Sequence, residues 1–264
     1  MANWAQGLFT MALVIDGIAT VIWVISIFSK RWQRYALGAM LVSFVLLTIS
    51  IIFRAIVTGH GPFSNMYEFS MAFAWGVLII GWLFWWRKRV TLVAGIAAAL
   101  SLGVLIFAST LSSREIPLVP ALQQSTLLTL HVTAAVIAYG AFGVSFGMAI
   151  AYLFRQRKHT SRWPAAEVLD RIGYQAVIIG FPFLTLTIIL GAIWAEISWG
   201  RYWGWDPKET ASFVTWLLYA GYLHARLLGG WRGKKLAVLL IVGFGAVLFT
   251  FFGNYIFQGL HTYQ

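Results

Sequence analysis

Long apolar runs separated by short charged segments divide the chain into eight stretches, near residues 7–29, 35–57, 66–86, 90–109, 126–154, 172–197, 208–230 and 236–258. Each reaches or exceeds the roughly 17 apolar residues at which an α-helix becomes long enough to cross a hydrocarbon core. The fifth run is longer than a bilayer requires, so it is expected to tilt or to project beyond the membrane. No internal repeat stands out, and no Ser/Gly/Pro-rich tract marks a linker or a soluble appendage. The pattern predicts an all-α, polytopic membrane protein with residues 1–264 as a single membrane domain.

Composition supports that reading. The 264 residues are 60% hydrophobic, 17% aromatic and only 10% charged, with a mean hydropathy of +0.80. An ordinary soluble domain carries about 25% charged residues, and a chain this apolar needs lipid as part of its solvent. There is no cysteine, which excludes disulfides, thiol catalysis and thiolate ligation of a metal. The formal charge of +11 would suggest nucleic acid in a soluble protein, but here the placement of the cations explains it.

Of the nineteen Lys and Arg, all but Arg54, Arg114, Arg201 and Lys208 fall on one side if the N-terminus lies outside. Cytoplasmic loops carry such an excess, so both termini are expected on the outer face, and no nucleic-acid partner is needed. The first basic cluster, Lys30, Arg31 and Arg34, follows the first apolar run instead of preceding it. That is the reverse of a cleaved signal peptide.

This topology sorts the five histidines. His60 lies in the outer loop between runs 2 and 3, His131 opens run 5 near the outer face, and His261 follows run 8, also outside. His159 sits in the basic inner loop RQRKHTSR and reads as a solvated surface residue. Taken alone, His131 and His261 read equally well as interfacial polar residues or as ligands. Together they deliver two imidazoles to one water-facing depth from distant helices, and imidazole is the commonest metal ligand and a haem axial ligand. His224 lies within run 7, roughly 20 Å from that helix's outer end at 1.5 Å per residue. An ionisable group inside a span is a functional hypothesis by default; the plainer alternative is an interhelical hydrogen bond. Asp16, the carboxylate well inside a span, is a proton-path candidate or a partner for Arg54 or a polar neighbour.

Between runs 6 and 7, at about 194–209, comes the densest feature of the chain: Trp194, Glu196, Trp199, Gly200, Arg201, Tyr202, Trp203, Gly204, Trp205, Asp206, Pro207, Lys208 and Glu209. An aromatic belt at the membrane interface accounts for a few of these residues. It accounts poorly for four aromatics in seven positions interleaved with glycine and charge. Asp206 at N-cap, Pro207 at N1 and Glu209 at N3 predict a carboxylate version of a capping box. Flat rings on a glycine-punctuated segment suit a large planar ligand, and Arg201 and Lys208 are placed to meet its carboxylates. A porphyrin fits.

The stretch WGRYWGWDPKETASFVTWLLYAGYLHAR resembles the tryptophan-rich WWD signature of the haem-handling membrane proteins of cytochrome c assembly. GHGPFSNMYE, LHVTAAVIAYGAF and WRGKK…GFGAVLFTFFGNYIFQGLHTY resemble its CcsA (ResC) branch, the subunit of the system II cytochrome c synthase, in the family's order from about residue 58 onward. The resemblance implies that haem b, carried as a substrate, reaches an external site and is joined there to the CXXCH cysteines of apocytochrome c. By motif, His131 and His261 match the external haem ligands and His224 a ligand of haem within the membrane. Trp199, Trp203, Trp205 and Asp206 match the WWD segment, whereas His60 and Glu68 carry no assigned role. The implied partner is a CcsB/ResB-type membrane subunit, and the implied location is a bacterial inner membrane or a thylakoid membrane, with the site on the outer or lumenal side. The chain is then expected to be the haem-binding part of a haem lyase-type complex, inactive alone. The alternatives are a haem transporter without synthase activity, a membrane scaffold, and a helical channel.

Overall fold

The computed structural model describes residues 2–61, 63–114, 125–157 and 163–256. Among these there is no strand, and eight α-helices follow one another: α1 (Ala2–Phe28), α2 (Gln33–Thr58), α3 (Met66–Lys88), α4 (Thr91–Ser109), α5 (Ser125–Arg157), α6 (Ala166–Trp199), α7 (Pro207–Leu227) and α8 (Lys234–Ile256). Each corresponds to one apolar run. The larger differences are at the starts of α1 and α6, which begin several residues early because a helix continues past the hydrocarbon edge through polar residues such as Gln6 and Asp170. Seven helices are long and apolar enough to cross a membrane by length and composition. The exception is α7, whose sequence holds Lys208, Glu209, Ser212, His224 and Arg226. The protein is an integral membrane protein, and the many large apolar side chains left exposed on its helices, among them Val14, Ile18, Val21, Ile189 and Val242, have lipid as their natural solvent.

The chain forms two compact units, Met1–Leu118 and Val119–Gln264. In the first, small residues and serines let the backbones approach. Ser43 Oγ donates to Ala12 O at 3.0 Å and Ser50 Oγ to Ala5 O at 2.7 Å, stitching α2 to α1. Trp75 Nε1 donates to Thr48 Oγ1 at 2.8 Å, linking α3 to α2. Such interhelical bonds are worth about 0.6 kcal/mol each in lipid, so van der Waals packing carries most of the association.

In the second unit, α5 pairs with α6 and α8, and α7 with α6 and α8. Phe142 of α5 stacks on Tyr219 of α7 with centroids 3.6 Å apart and planes within 8°. Thr215 and Thr250 bond across α7 and α8 at 3.1 Å. Pro182 lies inside α6, where it supplies no backbone N–H.

Candidate functional site

The tryptophan-rich segment is a short loop held at both ends by helix chemistry. Gly200 closes α6 in the left-handed region, φ 71°, with its N–H on Glu196 O at 2.8 Å. At the other end the expected capping box is present: the Asp206 side chain accepts from Lys208 N at 2.9 Å, and Pro207 occupies N1. Glu209 does more than complete the box. Its Oε2 accepts from Asp206 N at 3.1 Å and from Gly204 N at 2.8 Å, so one carboxylate holds two loop amides. A Cβ at Gly204 would lie 2.7 Å from the guanidinium carbon of Arg201, an exposed, flexible side chain that can move aside.

Between these anchors Trp205 adopts φ 57° while its side chain is 67% exposed. A bulky residue in that region is an outlier costing on the order of 1–3 kcal/mol. The strained backbone holds a large aromatic ring outward, where it gains little burial.

The rings do not form one flat sheet. Trp203 and Trp205 meet edge-to-face at 5.7 Å, and both meet Phe213 of α7 the same way, at 6.2 and 6.5 Å. Phe213 lies parallel to Trp216 at 6.4 Å, and Trp216 approaches Phe181 of α6 at 5.3 Å and donates Nε1–H to Thr185 Oγ1 at 2.9 Å. An aromatic run therefore descends from the loop along α7. Trp199 packs edge-to-face at 4.8 Å on the buried Trp194.

His131, near the start of α5, is placed by α6. Its Nδ1 lies 2.8 Å from Thr187 O. A carbonyl only accepts, so the proton of this hydrogen bond is carried by Nδ1. This is the arrangement metal-ligating histidines adopt, the second nitrogen donating to a carbonyl or carboxylate. The ring lies over Gly191, where a Cβ would come within 2.8 Å of Cε1 and 3.1 Å of Nδ1. Gly191 is eight residues before Trp199, about 12 Å along the helix axis, so the end of α6 serves both the imidazole and the loop. His261 lies outside the described residues, as does His159.

His224 is elsewhere. It lies in the last turn of α7 and is exposed, about 26 Å along the axis from Pro207. Two residues on, Arg226 turns inward to a two-pronged pair with Asp170 of α6, at 2.9 and 2.6 Å, its guanidinium 4.3 Å over the Tyr174 ring. The external and intramembrane candidates are thus separate places.

In the first unit, Arg54 does not pair with Asp16, one of the partners considered for it. Arg54 Nε bonds Glu68 Oε1 at 2.9 Å and Nη1 donates to Ser113 O at 2.6 Å. Ser64 donates both N–H and Oγ–H to Glu68 Oε2, at 3.0 and 2.7 Å, and His60 Nδ1 is 3.9 Å away. Glu68 is 1% exposed. Of the GHGPFSNMYE segment, His60, Phe63, Ser64, Tyr67 and Glu68 are buried, and the turn in front of α3, with Asn65 as N-cap, is centred on the Glu68 carboxylate.

Sequence reasoning missed Thr187, Gly191, Glu209 in its loop-holding role, and the Phe213–Trp216 run. A glycine in the last turns of an otherwise bulky α6 was the available signal for the first two. Among the described residues no cluster of three His, Cys, Asp or Glu side chains is placed to hold a metal ion.

The family model for Cytochrome C assembly protein matches residues 63–261. The chain is similar to the cytochrome c biogenesis protein CcsA of Guillardia theta, 34% identical over 99% of this chain and 96% of that protein. It is also similar to CcsA of Synechocystis sp., 32% identical over 91% of each, and of Prochlorococcus marinus, 34% identical over 83% of this chain and 81% of that one. Among solved structures it resembles a cytochrome c heme lyase, CcmF, with a TM-score of 0.69 and 18% identity. That likeness covers 95% of this chain but 46% of the other, and it concerns the fold alone.

Proposed function

Because the chain belongs to the cytochrome c assembly protein family, in its CcsA branch, we propose that it acts in cytochrome c maturation by holding haem b for attachment to the CXXCH thiols of apocytochrome c. Haem is here the substrate, and its vinyl groups supply the carbon atoms to which the thiols are joined. What the chain contributes is orientation and protection. His131 offers Nε2 to the iron on one side, with the ring's plane set by Thr187 O and its approach to α6 set by Gly191. His261 is the second external ligand, carried over by motif. The outward Trp205 and its neighbour Trp203 provide ring faces and edges for the porphyrin, and Arg201, exposed beside Gly204, supplies charge for its carboxylates.

The observation that carries this reading is the placing of His131 against α6, with Nδ1 on Thr187 O and the ring over Gly191. A histidine kept merely as an interfacial polar group has no need of a buried carbonyl and a glycine on the neighbouring helix.

His224 belongs to a second haem position at the far end of α7. It is exposed on that helix with no other described histidine near its depth, so the opposite axial ligand there comes from another polypeptide. A CcsB/ResB-type membrane subunit is the proposed partner, meeting the chain along the His224 face of α7. With the N-terminus outside, the WWD loop faces the periplasm or thylakoid lumen and His224 the inner leaflet.

The test is co-expression of this chain, the partner subunit and a CXXCH-bearing apocytochrome in cells lacking their own assembly system, read by covalent haem on a denaturing gel. Attachment is expected with both membrane subunits and with neither alone. Haem bound by the two subunits but never attached to apocytochrome would move the reading to haem delivery without synthase activity.

A further inference from the structure

The first unit holds a polar group that neither the external nor the intramembrane haem site uses. Asp16 stands at the middle of α1, fully buried, at 0% exposure. Ser101, also 0% exposed, faces it from the middle of α4. Thr20 lies one turn beyond Asp16 on the same face of α1. Both carboxyl oxygens of Asp16, Thr20 Oγ1 and Ser101 Oγ are buried and form no close hydrogen bond among the described residues, while Ser101 lies near enough to act on the Asp16 carboxyl.

The two hydroxyls are turned in an unusual way for this chain. Thr10, Thr48, Thr58 and Ser70 each donate back to the carbonyl one turn earlier, as helical hydroxyls commonly do. Thr20 and Ser101 do not, and leave their oxygens on the seam between α1 and α4.

Among the described residues no fixed charge balances Asp16. Helix α1 carries no other charged residue, and α4 carries none. On α2 the titratable groups are Arg34 and Tyr35 at one end and Arg54 at the other, the latter engaged with Glu68. On α3, the group reaching α1 is Tyr67, whose hydroxyl donates to Gln6 Oε1, ten residues from Asp16. An isolated carboxylate at mid-membrane is too costly to persist, so the group must take up a positive ligand. Four side-chain oxygens with two hydroxyls are too few to coordinate a bare metal cation well, since hard cations take six or more oxygens. A proton needs one.

An approach is also present. A narrow, partly open cavity between α1, α2 and α4, with room for about one water, is lined by Ala19, Trp23, Gln33, Thr91, Gly95 and Ala98, among others. Gln33 and Thr91 lie beside the basic turns Lys30–Trp32 and Arg87–Arg89. At its other end, Ala19 and Ala98 are each three residues from Asp16 and Ser101, about 4.5 Å along the axes.

We propose that Asp16, Thr20 and Ser101 form a proton-binding site at mid-membrane, loaded through the cavity between α1, α2 and α4 from the end bearing the basic turns. The proton sits on a carboxyl oxygen, and the hydroxyls receive the charge when it leaves. The site is independent of the haem reading.

The test uses the full chain in membranes, treated with the apolar reagent dicyclohexylcarbodiimide, which adds to protonated carboxyls in apolar surroundings, and analysed by peptide mass spectrometry. Label is expected on Asp16 in preference to the other seven carboxylates. It should fall about tenfold per pH unit above its midpoint, the slope of a one-proton site, and be unaffected by sodium or potassium. Thr20→Val with Ser101→Ala removes the donors that favour the charged form, so the midpoint should move to higher pH. Hydrogen–deuterium exchange of the Asp16 carboxyl, followed by its infrared band and assigned by its loss in Asp16→Asn, should slow at least severalfold in Ala98→Leu, which fills the cavity. Absence of label on Asp16 at every pH, protection by a metal cation, or exchange unchanged in Ala98→Leu would each overturn the proposal.

Discussion

Replacing Gly191 by alanine separates the placement of His131 from the stability of the fold. A Cβ at Gly191 would sit 2.8 Å from Cε1 and 3.1 Å from Nδ1 of the imidazole. Carbon atoms are comfortable at about 3.5–4.0 Å, so the ring must retreat by roughly 1 Å. That motion draws Nδ1 away from Thr187 O, now 2.8 Å distant, to a separation at which little hydrogen bonding remains. The ligand then loses both its tautomer control and its position, and supporting contacts of this kind cost about 10–100-fold in metal affinity or activity. The backbone gains, because alanine is favoured over glycine inside a helix by about 1 kcal/mol. Gly191→Ala should therefore unfold no more easily than the native chain while retaining much less haem at the external site. The assay is Soret absorbance per polypeptide in the purified complex beside thermal unfolding. Gly245→Ala on α8, where an added Cβ meets nothing within 4 Å, is the control. Full haem occupancy with an unaltered spectrum in Gly191→Ala would refute the reasoning.

Trp205→Gly relieves the positive φ and gives up little burial, so stability should hold or rise by about 1 kcal/mol, while haem retention falls by roughly 1–3 kcal/mol, taking aromatic stacking on nucleobases as the scale; haem loss to apomyoglobin measures it. Asp206→Asn keeps a good cap, so thermal stability should barely change while haem attachment drops; equal small losses of both would reduce Asp206 to a cap. Glu209→Ala frees the amides of Gly204 and Asp206, and with hydrogen bonds to a charged acceptor worth about 1.5–3 kcal/mol each, the loop should become an early site of limited proteolysis.

What was legible in the sequence follows physical range. A span is set by the local run of apolar residues, so the helices fall where the hydrophobic pattern put them, and the Asp206–Pro207–Glu209 cap was readable because capping acts within four residues. Contacts between helices carry no such local mark. Thr187 and Gly191 are 56 and 60 positions from His131, and nothing beside His131 names them. The Arg54–Glu68 pair has no local mark either: the turn before α3 brings Glu68 to the end of α2, fourteen positions away. Nor does composition reveal that Trp205 stands at positive φ, since a bulky residue there opposes its own propensity. His261 falls outside the described residues, so the pairing of His131 with it stays a proposal.

The central claim, that His131 is an axial ligand of haem held for attachment, is tested most directly by the absorption and electron paramagnetic resonance spectra of His131→Ala in complex with its partner. The account predicts less external haem, loss of the low-spin signature of two nitrogen ligands, and its return, with attachment activity, on adding imidazole. Wild-type haem content and a wild-type spectrum in His131→Ala would contradict it.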